Sequence, residues 1–174
     1  MGDSNTTGFR GTLEAGVEAR AAWVALLPPE RFEWVGGWAQ DGATTTVMAE
    51  NAPLIENADV VVIMGGTNDL AYGLSFESSA AALDQIAGRA GPALVVVAGI
   101  APFDIRPAAA VTFNDHLGQL ASDRGWLFID PWRTLRADDG TWVAPHRTDG
   151  VHTSPAGYSE AAAEIARQLS DAFD

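Results

Sequence analysis

Asp149 and His152 stand three residues apart in Arg147-Thr148-Asp149-Gly150-Val151-His152. With Gly150 between them, a tight turn can bring carboxylate and imidazole together. Gly2-Asp3-Ser4 and Gly66-Thr67-Asn68-Asp69 lie upstream in the same chain. A serine hydroxyl such as that of Ser4 is a weak nucleophile and needs a base. A neutral imidazole, His152, can take its proton and return it to a leaving group, while Asp149 holds the ring and stabilises its charged form. The side-chain amide of Asn68 can donate to the oxyanion of a tetrahedral intermediate, a contact typically worth roughly 3–4 kcal/mol of barrier. Gly42, in Gln40-Asp41-Gly42-Ala43-Thr44-Thr45, offers a backbone N–H as a second donor and lets a substrate approach closely. Together these residues supply the parts of an acyl-transfer site. Each string also has a plain structural reading. Asp149-Gly150 can be a turn, Ser154-Pro155 a helix cap, Asn68 an Asx-turn and Gly42 a loop glycine.

Such side chains need a scaffold that brings them to one rim. Apolar runs over residues 32–35, 59–64, 93–98 and 126–129 read as strands, stopped by Gly36-Gly37, Gly65-Gly66, Gly99 and Asp130-Pro131. Their unbroken hydrophobicity predicts burial on both faces, as in a parallel sheet covered by helices. Helical patterns run over residues 12–27, 45–57, 75–89, 107–124 and 154–173. The second contains Pro53, and the last opens on Ser154-Pro155, an N-cap with proline at the first helical position. This alternation predicts an α/β fold with right-handed crossovers. No repeat or linker interrupts it, so one domain over residues 1–174 is expected. In open α/β sheets ligands bind beyond the carboxyl ends of the strands. The turns at 66–69 and 99–102 both fall there.

The 174 residues are 47% hydrophobic and 19% charged, enough for a sizeable core. A net charge of −13 and a pI near 4.4 make a surface that repels phosphate backbones, so nucleic acid is not an expected partner. There is no cysteine, which excludes disulfides, thiolate catalysis and Cys-ligated zinc. His116, His146 and His152 have no metal-ligand spacing, and no metal is expected. His146 reads as a polar rim residue, His116 as structural or solvated, and Asp130 as a cap or turn. No stretch approaches the ~20 apolar residues of a membrane span, and no signal peptide is visible. Neither glycine-rich phosphate motif occurs. Trp23, Trp34 and Trp126 read as core. Trp38, Trp132 and Trp142 fall in rim-like loops, where burial under a loop competes with stacking on a sugar or shaping an acyl pocket. These features specify neither compartment nor oligomeric state.

Taken in order, the motifs resemble the SGNH (GDSL) hydrolase family, named for its Ser, Gly, Asn and His. Gly2-Asp3-Ser4 is similar to its first block, Gly42-Ala43-Thr44-Thr45 to the second, Gly66-Thr67-Asn68-Asp69 to the third and Asp149-Gly150-Val151-His152 to the last. The resemblance spans essentially the whole chain. It implies a flavodoxin-like three-layer α/β/α sandwich with a parallel sheet. It implies hydrolysis of an ester or thioester through an acyl-serine, with no metal or organic cofactor. In that reading Ser4 attacks, the N–H groups of Ser4 and Gly42 and the Asn68 amide hold the oxyanion, and His152, oriented by Asp149, moves the proton. The substrate would be a small-molecule or carbohydrate ester. Short loops favour an open site and short acyl groups, acetyl among them. An acyltransferase to a sugar or alcohol, and a non-catalytic binding module on the same fold, stand as alternatives. Family members carry an apolar strand directly before Gly-Asp-Ser, whereas only Met1 precedes Gly2 here. Losing such a strand would forfeit roughly 1.5–3 kcal/mol per buried apolar side chain. It would also leave strand neighbours unpaired and Ser4 on a loose terminus. The expectation is that the natural chain begins upstream.

Overall fold

The computed structural model describes residues 1–9, 12–13, 22–54, 57–89, 91 and 93–173. Its strands are β1 (Thr12–Leu13), β2 (Ala39–Gln40), β3 (Val60–Met64), β4 (Leu94–Ala98) and β5 (Leu127–Ile129). β3, β4 and β5 pair in parallel, with Val62 opposite Val96 and Val97 opposite Phe128. Gly2 forms parallel bridges to Ala39 on one side and Met64 on the other. The order across the sheet is therefore β1, β2, Gly2, β3, β4, β5, and only β1 runs antiparallel to its neighbour.

Strand alternation divides the core in two. Val61, Ile63, Val95 and Val97 pack on one face against Met48, Leu83, Ile86, Phe113 and Leu117. These come from α2 (Thr45–Asn51), α4 (Phe76–Gly88) and α5 (Pro107–Arg124). Met64, Val96, Ala98 and Ile129 pack on the other face against Trp23 and against Tyr158, Ala161, Ile165 and Leu169 of α6 (Pro155–Phe173). The result is the expected three-layer α/β/α arrangement. Pro107 opens α5 and Gly125, left-handed at φ 67°, closes it. Ser154 Oγ accepts the Gly157 N–H at 3.2 Å and caps α6.

Three local expectations are corrected. Residues 32–35 form no strand, because the edge beside Gly2 is taken by Ala39 and a strand needs a partner. The helix expected over 12–27 is instead β1 and a 3₁₀ turn, Trp23–Leu26, where described; residues 14–21 lie outside the described residues. Pro28 holds Leu27 extended and ends that turn. α2 stops at Asn51 because Ala52, preceding Pro53, is also extended. Of the readings open for Trp38, Trp132 and Trp142, burial is the one found: all three are core residues. The indole N–H of Trp132 donates to the Gly99 carbonyl at 2.9 Å, and its ring meets Trp142 and Tyr158 edge-on. Satisfying that polar end is what allows so large a side chain to be fully buried.

Ser4 does not hang on a loose end either. The Met1 amine donates to the Val62 carbonyl at 2.8 Å, and Met64 N–H donates to the Met1 carbonyl at 2.9 Å. Gly2 N–H donates to Trp38, and Gln40 N–H donates back to Gly2. Two residues thus hold the central register. Beside the Val60–Val62 edge runs a groove of about 700 Å³ lined by Trp23, Phe32, Trp34, Val60, Val62 and Leu169.

Candidate active site

Directly after the Met1–Gly2 stub the chain turns into α1 (Ser4–Thr7), a single turn that the sequence patterns did not suggest. Asp3 caps it: its Oδ1 accepts the Asn5 N–H at 2.9 Å, and its carbonyl accepts from Thr6 and Thr7. Gly8, left-handed at φ 73°, ends it. The turn sets Ser4 at the carboxyl end of a central sheet position. Its own N–H belongs to the first helical turn, where no intrahelical acceptor exists.

The loop carrying Asp149 and His152 is folded on the Asp149 carboxylate. Oδ1 accepts the backbone N–H groups of Val151 and His152 at 2.9 and 2.8 Å. Oδ2 lies 2.7 Å from His152 Nδ1. On the far edge of the ring, Nε2 lies 2.9 Å from Ser4 Oγ. Because a carboxylate only accepts, Nδ1 carries the proton and Nε2 is left to accept from the hydroxyl. Burial raises the Asp149 pKa, but the hydrogen bonds from the His152 ring and from the N–H groups of His152 and Val151 outweigh it and hold the group near 2. Gly150 takes φ 87°, and its carbonyl accepts the Asp104 N–H at 2.9 Å. Asp104 also accepts the Trp142 N–H at 3.0 Å and pairs with Arg147 at 2.6 Å. The turn after β4 thereby latches the histidine loop.

Asn68 and Gly42 meet on a second loop pair. Gly66, at φ 126°, breaks β3 sharply; a Cβ there would lie 2.4 Å from Phe113 Cε1. The break lets α3 (Thr67–Tyr72) start at the strand end, with Asn68 in its first turn. Asn68 Nδ2 donates to the Ala43 carbonyl at 3.0 Å, so one amide hydrogen holds the Gly42 loop and the other stays available. Gly42 is at φ 79° with open space where a Cβ would be. Its N–H has no acceptor among the described residues. Asp69, fully buried, locks these parts together. It accepts the Thr45 N–H at 2.9 Å, the Thr45 hydroxyl at 2.5 Å and the Ser79 hydroxyl at 2.9 Å.

Three of the proposed site residues thus sit at the carboxyl ends of adjacent sheet positions, Ser4 after Gly2, Gly42 after β2 and Asn68 after β3, while Asp149 and His152 reach Ser4 from the segment between β5 and α6. Ser4, His152 and Asp149 form one continuous line of contacts. Sequence reasoning missed three neighbours. Asp69 stood inside a quoted motif, but nothing marked its side chain as a buried anchor. Asp3 stood beside Ser4, and its burial follows from the central strand it ends. Phe9, whose ring stacks on His152 at 3.7 Å, had no signal at all. His146 contacts Ser154 and Glu160 at 3.3 Å each and supports the start of α6. His116 tilts against Phe76. Asp130 accepts the Trp132 N–H and pairs with Arg136. Among the described residues no cluster of three or more His, Asp or Glu could hold a metal ion, and no helix is long and apolar enough to cross a membrane.

The model of the GDSL-like lipase/acylhydrolase family matches residues 1–159. The chain belongs to that family. As a GDSL acylhydrolase it is an enzyme acting on ester bonds. Solved structures share its fold at low identity. A G-D-S-L family protein from Desulfitobacterium hafniense DCB-2 is 18% identical, with TM-score 0.81, covering 96% of this chain and 95% of its own. The aryl esterase of M. smegmatis is 18% identical, with TM-score 0.69, covering 98% and 96%. A carbohydrate esterase family 3 protein from Talaromyces cellulolyticus is 19% identical, with TM-score 0.59, covering 77% and 70%. No curated protein matches the chain's sequence.

Proposed function

We propose that this GDSL hydrolase cleaves carboxylic esters through an acyl intermediate on Ser4. One observation carries the proposal: the line from Ser4 Oγ to His152 Nε2 (2.9 Å) and from Nδ1 to Asp149 Oδ2 (2.7 Å). The first distance allows direct proton transfer, and the second is a hydrogen bond that holds the ring in place. Ser4 Oγ attacks the ester carbonyl as His152 takes its proton. The negative oxygen is held by the N–H groups of Ser4 and Gly42 and the free amide hydrogen of Asn68. His152 then protonates the departing alcohol. Water repeats the sequence on the acyl-enzyme, releasing the acid and restoring Ser4. Every proton moved is accounted for by His152, so the cycle needs no cofactor.

The favoured substrates are esters of short acids, acetyl esters of carbohydrates included. The small domain supports this reading, as does fold similarity to an aryl esterase and a carbohydrate esterase. Burial of Trp132 and Trp142 removes them as sugar-stacking platforms, so a sugar would have to be read by other rim groups. A fluorophosphonate probe followed by peptide mass mapping tests the mechanism. Modification at Ser4 that vanishes in His152→Ala is expected. Hydrolysis without any modification at Ser4 would sink it.

A further inference from the structure

We propose that Phe9 is a positioning residue for His152, holding the plane of the imidazole and favouring its charged form during the reaction. The inference rests on the proposed roles of Ser4 and His152. The Phe9 and His152 rings lie 3.7 Å apart between centroids and 27° from parallel. Ser4 and Asp149 both contact the imidazole in its plane, at opposite edges. Two such contacts fix an axis but leave the ring free to tilt about it. A stacked face removes that freedom.

The backbone points the same way. Phe9 is at φ 62°, a left-handed conformation uncommon for an aromatic residue. Its ring is 49% exposed, so core burial does not explain the strain. What holds it there is the end of α1: Phe9 N–H donates to the Ser4 carbonyl at 2.8 Å. One turn of chain thus carries the nucleophile at its start and the cover of the base at its end. Electrostatics add to this. An aromatic face is the negative side of its quadrupole, and the imidazole becomes cationic when it takes the serine proton. Asp149, the other group favouring that cation, is 46% exposed at its side chain, where water screens it. The Phe9 face adds a second attraction, at the face of the ring rather than at its edge.

The test uses the full chain with Phe9→Leu and Phe9→Tyr and short p-nitrophenyl esters. Leucine keeps apolar cover but has no ring face; tyrosine keeps the face. The expected result for Phe9→Leu is a ~2–5-fold loss of kcat, the size of an exposed cation–π contact. KM should stay within about twofold and the melting temperature within about 2 °C, because little of the ring is core. Phe9→Tyr should recover the parent kcat. An unchanged kcat in Phe9→Leu overturns the proposal, as does a loss confined to KM, which would make Phe9 a substrate wall. A fall in melting temperature parallel to kcat, or a tyrosine variant as poor as leucine, overturns it too. All of these leave fluorophosphonate modification of Ser4 intact. A parent chain that is neither active nor modified defeats the serine mechanism itself, and this inference with it.

Discussion

Asp3 sits beside the proposed nucleophile, yet its charge should weaken the fold. The residue is 1% exposed; Oδ1 accepts the Asn5 N–H at 2.9 Å and Oδ2 has no partner among the described residues. Burial pushes its pKa from 3.8 up to about 7; the Asn5 N–H opposes this, and the nearby Asp69 and Asp41 add to it. Below about pH 4 the folded and unfolded chains both hold this proton, so it contributes nothing. Between about 4 and 7 the unfolded chain has released it while the folded chain keeps it, so stability falls as pH rises. Above 7 the loss is complete, and at 1.36 kcal/mol per pH unit the interval from 3.8 to about 7 amounts to about 4 kcal/mol. Asparagine accepts the same N–H, caps as well as aspartate and never ionises. Asp3→Asn should therefore match the parent at pH 4 and gain stability steadily to pH 8. At ~2–4 °C per kcal/mol for a chain of this size, the gain at pH 8 is of order 10 °C. Thermal melts of both proteins from pH 4 to 8.5 provide the comparison. The Met1 amine, held down to about 5 by burial, bends both curves in the other direction and cancels in the difference. A difference independent of pH, or one largest in acid, would refute the reasoning.

Three further outcomes follow from the same contacts. Asp69→Asn sets an amide N–H₂ against a donor at Thr45 or Ser79; a loss of ~2–4 kcal/mol in urea denaturation is expected, and an unchanged midpoint would remove Asp69 as the lock between the Gly42 and Asn68 loops. Gly66→Ala brings a Cβ to 2.4 Å from Phe113 at φ 126°, so a loss of at least ~1–3 kcal/mol should appear in the same assay; a neutral variant would mean that α3 can start differently. Asp149→Asn keeps a carbonyl for the Val151 and His152 N–H groups but turns N–H₂ toward Nδ1, forcing the proton onto Nε2. The expected kcat falls by ~10²–10⁴ in a variant that still folds but melts somewhat lower, having lost the carboxylate that these hydrogen bonds hold ionised, and a variant within tenfold of the parent would deny Asp149 its orienting role.

What could be read from the sequence follows what each pattern physically encodes. Val60–Met64 and Leu94–Ala98 are unbroken apolar runs because both faces are covered, and composition alone reveals that. Pro107 and Gly125 bound α5 through backbone preferences that are local. Residues 32–35 carry a strand-like composition, but composition does not say whether an edge is free to pair. The tryptophans at 38, 132 and 142 sit between loop residues, and their burial depends on tertiary partners such as the Gly99 carbonyl. At the candidate site, the contact of Ser4, His152 and Asp149 was legible because the proposed nucleophile, base and orienter need fixed residue types at short or motif-marked spacings. Asn68 stood out as a candidate donor, but nothing in the sequence showed that it spends one hydrogen on Ala43. Phe9 was invisible, since a lone aromatic in a polar stretch carries no pattern until the chain end of α1 folds it over His152.

The central claim is that Ser4 is acylated with His152 as its base. Hydrolysis of p-nitrophenyl acetate and butyrate by the chain, beside Ser4→Ala and His152→Ala, tests it most directly. Turnover is expected from the parent and should be lost in both variants, each folded as judged by melting temperature. Turnover that survives in a folded Ser4→Ala variant would contradict the claim.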